Sequence, residues 1–360
     1  PLWRIVVLVV MEPRLVVPLS ASSDAIISAS NVSSTANQLT LVPISVRVTA
    51  AVGFLLVAIF GALGNGLSMF VLRKLGGQRW PHLVFIGALC CADLLFCVTS
   101  VPWEIPRLIV GRWSYSSRAL CCTIGFIKYT NFGLSLLLIS LVAVNRLILI
   151  VFPNVYDCVY STFSVVTQIA GTLIFSLLLH LPILVGVWGS FGLEPRTQRC
   201  GIVAISHVSP AKILFVFAFI LPSCTILLCY SSIIVHVVRT SRRVKLCGSQ
   251  AAIASRRNRI RQRELGVVRT SAVVFIVFVL LCLPNTLFKM GRLGRSPVVA
   301  MFCTLLMHST ACVNPFIYVF MDKQYRSACF QLITCGGRVA EPRDRSSPTV
   351  RAVSDGSTTH

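Results

Sequence analysis

The sequence predicts an all-α membrane protein, a bundle of seven transmembrane helices followed by a short amphipathic helix on the membrane surface. Three observations predict it. Hydrophobic residues make up 55% of the 360 and charged residues 12%, with a mean hydropathy of +0.81, a balance that soluble globular chains rarely reach. Seven apolar runs recur between polar gaps, each near or above the roughly 20 residues that cross a hydrocarbon core of about 30 Å. Basic residues gather in alternate gaps, as in cytoplasmic loops. The formal charge of +22 therefore reads as membrane orientation and gives no reason to expect a nucleic-acid partner.

Taken in order, residues 1–45 read as an extracellular tail. Pro1 to Val10, apolar apart from Arg4, precede Met11 and are read as lying upstream of the native start, a signal-like stretch being the alternative. Ser20 to Thr40 is rich in Ser, Ala and Asn, as expected of an unpacked tail. Asn31-Val32-Ser33 is its glycosylation acceptor, which agrees with an outside amino terminus. The bundle occupies residues 46–320, with runs at Val46 to Leu72, Leu83 to Ile109, Leu120 to Phe152, Phe163 to Trp188, Ala211 to Val238, Val267 to Lys289 and Val298 to Phe320. Between the fifth and sixth, Arg239, Arg242, Arg243, Lys245, Arg256, Arg257, Arg259, Arg261 and Arg263 face the single acid Glu264, which puts that loop in the cytosol. An odd span number then places the carboxyl terminus inside as well.

Residues 321–335 read as an amphipathic helix on the inner membrane surface, with Cys329 and Cys335 as candidate palmitoylation sites. Residues 336–360 form a cytoplasmic tail, where Ser346, Ser347, Thr349 and the serines and threonines beyond offer phosphate sites to a receptor kinase and an arrestin; a plain solvated tail has the same composition.

Fifteen cysteines suggest a disulfide scaffold until they are placed. Cys90, Cys91, Cys97, Cys224, Cys229, Cys282, Cys303 and Cys312 fall inside apolar runs, where they act as small hydrophobes. No pairs stand at zinc spacing. Cys121 and Cys122 begin the third run and Cys200 lies in an outside gap, so either is an oxidisable partner for it.

Polar residues inside the runs each need a partner and so face the bundle. Asn65, Asp93, Asn131, Ser135, Thr310 and Asn314 could form one cluster around water or a sodium ion, whose hard charge suits oxygen ligands. Asn131 and Ser135 are one turn apart on one face. Ordinary helix-packing contacts are the alternative for Asn131, Ser135 and Thr310. Asp93 is harder to dismiss, since an uncompensated aspartate there costs about 2.5 to 3.5 kcal/mol. Arg146, at the far end of the third run, belongs at the cytoplasmic boundary or inside the bundle, as a switch or as a plain positive-inside anchor.

These residues together resemble the rhodopsin-like (class A) G-protein-coupled receptors over about Val46 to Thr334. The match rests on Asn65, Leu89-x-x-Ala92-Asp93, Cys121, Asn145-Arg146, Pro222 with Tyr230, Phe278 with Pro284, and Asn314-Pro315-Phe316-Ile317-Tyr318, each in the appropriate run. An Asn-Arg pair in place of Asp-Arg-Tyr looks like the melatonin receptors and the insect moody and trapped-in-endoderm group, and Asp322-Lys323-Gln324-Tyr325-Arg326 looks closer to the insect group. The resemblance implies coupling to a heterotrimeric G protein of inhibitory type. It pairs Cys121 with Cys200, makes Asn145-Arg146 the activation switch with Glu264 as the arginine's partner, and has Tyr230, Asn314, Pro315 and Tyr318 support the active form. Departures accompany it: Asn145 is neutral, Leu147 replaces a tyrosine, and Cys282 stands where the family carries a tryptophan.

Lys128, where aminergic members carry an aspartate, disfavours a small protonated amine. With neighbouring Tyr129, and with Lys289 and Arg292 ending the sixth run, it suggests an acidic or lipid-like small-molecule ligand. The alternative is that Lys128 pairs with Glu104 or snorkels outward. A membrane hydrolase would need metal ligands at one depth, and Asp93, His180 and His308 are scattered; a transporter would show internal repeats, and none is evident. No enzymatic activity and no resident cofactor are expected, apart from the sodium ion.

Overall fold

The computed structural model describes residues 37–75, 81–115, 117–195, 197–205, 213–214, 216–246, 251–289 and 296–334, without the side chains of 204–205, 241–246, 251–264, 289, 324 and 333. Asn31, Arg292, Cys335, the side chains of Glu264 and Lys289, residues 1–36 of the expected outer tail and the whole of the expected inner tail lie outside the description. At the end of the outer tail, expected to be unpacked up to Thr40, Leu39 and Val42 are instead buried in the core. Among the described residues, seven helices are long and apolar enough to cross a membrane: Ile44–Lys74, Pro81–Val110, Arg118–Val151, Thr162–Leu184, Val216–Thr240, Leu265–Phe288 and Pro297–Met321, spans one to seven below. All seven agree with the apolar runs read from the sequence.

Helix ends follow local chemistry. Span three starts at Arg118 because the Ser117 hydroxyl accepts from the Leu120 amide at 3.1 Å. Ser161 does the same for span four, accepting from Ser164 at 3.3 Å. Pro297 opens span seven, where its missing N–H costs nothing. Pro182, Pro284 and Pro315 lie inside spans four, six and seven, each removing one backbone bond and inviting a kink. Span two is extended by Val101–Trp103 and Glu104–Val110, and the extension stops at Gly111, whose φ of 81° is the left-handed conformation glycine adopts freely.

Span three is the axis. Half of its most apolar window is buried, as in span two, against 11% for span four at the edge, and it is span three that touches spans two, four, five and six. Leu136, Leu138, Ile139, Ile233, Val274 and Phe278 pack around its arginine-bearing half. Span one comes close to span seven at Gly64, where a Cβ would stand 3.1 Å from Pro315, so a larger residue there would need the helices to shift by a few tenths of an ångström.

Three elements were not anticipated. Gly189–Glu194 (β1) and Arg199–Ile205 (β2) form an antiparallel hairpin, with Leu193 opposite Cys200. A seven-residue helix, Pro153–Val159, follows span three, and a π-helical turn at Val216–Ile220 begins span five. The amphipathic helix runs over Lys323–Thr334, slightly inside the expected bounds, because the extended Asp322 caps span seven and its carboxylate then accepts from the Tyr325 amide at 3.1 Å.

That helix is fixed to the bundle by Tyr325, whose hydroxyl lies 2.6 Å from Ser68 Oγ of span one. Ser68→Ala leaves the buried tyrosine hydroxyl without this partner, a loss of about 1 to 3 kcal/mol. The expected outcome is a lower thermal midpoint for the purified variant, read by intrinsic fluorescence. Cys329 also differs from expectation: it is 6% exposed in the core beside Tyr325 and Ala328, and burial pushes its thiol pKa up. A palmitoyl chain cannot be attached there without moving the helix.

Candidate functional site

Three polar groupings stand along span three. Midway, Asp93 is 2% exposed; Oδ1 accepts from Ser135 Oγ at 3.1 Å and Oδ2 from Asn314 Nδ2 at 2.8 Å, with Asn131 as a further hydrogen-bond donor. Spans two, three and seven are thereby joined through one carboxylate. Two residues expected in this cluster stand apart from it. Thr310 donates to the Met307 carbonyl of its own helix at 2.8 Å, satisfying its hydroxyl locally. Asn65 donates to Gly61 O at 2.9 Å and Ala311 O at 2.7 Å, so it is a strut between spans one and seven.

At one end lie Asn145 and Arg146, 0% and 1% exposed. Asn145 Nδ2 donates to the Tyr156 hydroxyl at 3.2 Å, tying the short helix Pro153–Val159 to span three. Tyr156 stacks near Tyr160, ring centroids 5.0 Å apart, and the Arg146 guanidinium is near enough to act electrostatically on the Tyr160 and Tyr230 hydroxyls. Tyr318 is buried on span seven with its ring 5.8 Å from that of Tyr325. A guanidinium so fully withdrawn from water is not a surface anchor. The pairing of Arg146 with Glu264 falls outside the described side chains.

At the opposite end, the Cys121–Cys200 disulfide, Cα atoms 5.1 Å apart, draws the hairpin over the bundle. Cys122 Sγ instead donates to the Phe191 carbonyl at 3.0 Å. A Cβ on Gly125 would meet Phe191 at 3.0 Å and the Gly201 amide nitrogen at 3.5 Å, so this glycine admits the loop. Tyr129 lies 6.0 Å from Phe191 and 6.5 Å from His180, ring to ring. Lys128 is 8% exposed and donates to the Cys200 carbonyl at 2.7 Å, with Glu104 Oε1 at 3.8 Å. The pairing with Glu104 weighed from the sequence is the one the geometry shows, and the lysine is committed to the roof of the site.

Glu104 also receives Arg107 Nε at 2.9 Å and Arg199 Nε at 3.5 Å, while Arg199 Nη1 donates to Thr304 of span seven and Arg107 Nη1 to the Thr197 carbonyl at 2.8 Å. Sequence reasoning missed Arg199. Its one signal was its position beside Cys200, since a disulfide that closes over the bundle carries the preceding side chain in with it.

A family profile described as the seven-transmembrane receptor, rhodopsin family, matches residues 64–318. The chain belongs to the rhodopsin family of seven-transmembrane receptors. It is thus a multi-pass membrane protein of a receptor family. Among relatives of this receptor, the G-protein coupled receptor moody of Drosophila melanogaster is 29% identical over 343 residues, covering 79% of this chain and 51% of the relative. Protein trapped in endoderm-1 of the same fly is 26% identical over 308 residues, covering 81% and 78%. The chain spans about half the length of the moody receptors it matches. Squid rhodopsin, 22% identical, superposes with a TM-score of 0.72 over 82% of this chain and 88% of its own, which establishes the shared fold.

Proposed function

We propose that this receptor sits in the plasma membrane with the disulfide end outside and the Arg146 end in the cytosol, and passes the binding of an extracellular ligand to a heterotrimeric G protein of inhibitory type. The observation that carries the reading is Arg146, 1% exposed at the inner end of the central span. Burying a guanidinium costs several kcal/mol after relaxation, a cost that stability alone gives no reason to retain. A charge concealed in one state and presented to a partner in another does give one. The basic loop between spans five and six supports the orientation, and the likeness to the G-protein coupled receptor moody supports coupling to a G protein. Arrestin and a receptor kinase are the further cytosolic partners.

The direct test is a panel of G-protein chimeras expressed with the ligand-free receptor, read as basal signalling above vector. Signal confined to the inhibitory chimeras is expected. Equal signal through all chimeras removes the inhibitory assignment, and export of solute or hydrolysis of lipid by the purified protein would replace the receptor reading.

The mid-span cluster fits a monovalent hard cation. It offers one carboxylate and neutral oxygens, and among the described residues no group of three or more His, Cys, Asp or Glu could hold a metal ion. Asp93, Ser135 and Asn131 would hold sodium, which would brace spans two, three and seven in the inactive arrangement. Basal nucleotide exchange should therefore fall as sodium replaces choline, and Asp93→Asn should flatten that dependence. The expectation of an acidic or lipid-like ligand rested on Lys128; with that ammonium engaged, the question passes to the charges around it.

A further inference from the structure

Among the described residues, two buried cations and the partly buried Arg199 face one buried carboxylate at the outer end. Glu104, 6% exposed, lies among Arg107, Lys128 and Arg199, whose side chains are 3%, 9% and 14% exposed. Glu194 also acts on Arg199, but it is exposed at the end of β1 and its Oε2 accepts from Thr197 at 2.6 Å. Withdrawal from water draws the Arg199 guanidinium down to about 10 despite both acids. Surplus buried charge of this kind is costly and calls for a counter-ion.

A second observation adjoins it. His308 of span seven is 1% exposed, between the rings of Phe54 and Phe96, each 5.3 Å away. Its Nδ1 lies 2.8 Å from the Thr304 carbonyl, which can only accept, so Nδ1 carries the proton. Nε2 is then a buried acceptor without a hydrogen-bond partner among the described residues. Arg199 meets the same Thr304 through its hydroxyl, and Thr304 lies 3.5 Å from Asn285 of span six. The cationic cluster and the open acceptor therefore adjoin one residue of span seven, with span six next to it.

We propose that this outer cluster is an anion-binding site, which takes the carboxylate or equivalent small anionic group of the receptor's ligand on Arg199 and Arg107, with the Lys128 charge behind them. The inference rests on the receptor reading above and adds the ligand's chemical class. Glu104 holds the two guanidinium groups in place without neutralising all three cations. A hydroxyl or amide N–H on the same ligand, or a bridging water, completes His308 Nε2. Anion binding pulls on Arg199, and hence on Thr304 beside Asn285, giving the hairpin a mechanical connection to spans six and seven.

The opposite chemistry, a cationic ligand displacing Arg199 from Glu104, predicts opposite signs in mutants, so one experiment separates them. Purified full-length receptor is unfolded thermally while acetate replaces isethionate at constant ionic strength, with choline as the only cation. Acetate should raise the wild-type midpoint saturably. Arg199→Gln should raise the half-saturating concentration about tenfold or more, the value of one charged hydrogen bond. Arg199→Lys, which keeps the charge, should retain much of the response, and Glu104→Gln should lower the half-saturating concentration. An acetate response unchanged by Arg199→Gln, or weakened by Glu104→Gln, overturns the proposal. If Glu104→Gln fails to fold, the comparison of Arg199→Gln with Arg199→Lys decides alone, and equal responses in those two reject the site. Nucleotide exchange is not read, so this result is independent of whether the receptor couples to a G protein.

Discussion

Arg146→Ala is expected to abolish nucleotide exchange on an inhibitory G protein while the receptor still folds and reaches the surface. The two halves of that expectation come from one fact. The guanidinium is 1% exposed in the apolar inner half of the bundle, where keeping a charge from water is costly, so a residue held there for a contact made in another state contributes to coupling far more than to packing. A residue retained for packing would show the reverse, lost stability with residual coupling. The companion variant is Glu264→Ala: if that carboxylate restrains Arg146 in the resting state, its removal should raise basal signalling at equal surface expression. With Asn145 neutral and committed to Tyr156 at 3.2 Å, no carboxylate precedes the arginine in sequence, so the restraint falls more heavily on Glu264 than in members carrying Asp-Arg.

Cys200→Ser should lower the thermal midpoint and sharply reduce the amount of receptor at the cell surface. The bridge spans 79 residues, and loss of a native disulfide of this kind typically costs about 2 to 5 kcal/mol. Here more than loop entropy is involved. The Cys200 carbonyl is the acceptor for Lys128 at 2.7 Å, and the preceding residue, Arg199, crosses to Thr304 and Glu104. Releasing the hairpin separates Glu104 from one of its cations and takes from Lys128 its carbonyl partner. Cys122→Ser should leave both readouts near wild type, because its thiol makes only a weak hydrogen bond to Phe191. Surface immunolabelling of the intact cell and a thermal unfolding scan of the purified protein check both variants.

The fold was legible because lipid simplifies the sequence code. A span must be apolar for its whole length, so the few polar residues inside it stand out, and Asp93, Ser135 and Asn314 meet because each needs a polar partner away from lipid. Thr310 was misplaced for a reason spacing cannot reveal: a threonine hydroxyl can return to a carbonyl of its own helix, and this one does. Cys329 was judged by its position near the membrane, whereas Tyr325 and Ser68 fix which face of its helix turns inward. The outer cluster was least legible. Glu104, Lys128, Arg199 and Thr304 lie in four separate segments, and only the fold of the hairpin under its disulfide brings them together. Lys128 seen alone suggested a ligand anchor; seen with Glu104 and Cys200 it supports the roof.

The inner end is accessible to direct measurement. A spin label on Cys158, exposed on the short helix after span three, can be paired with one at Arg269→Cys, exposed on span six, in a background without other accessible cysteines. Nucleotide-free G protein should lengthen the distance between them as span six moves away and uncovers Arg146. A distance distribution that stays unchanged while the same preparation catalyses nucleotide exchange would contradict the account.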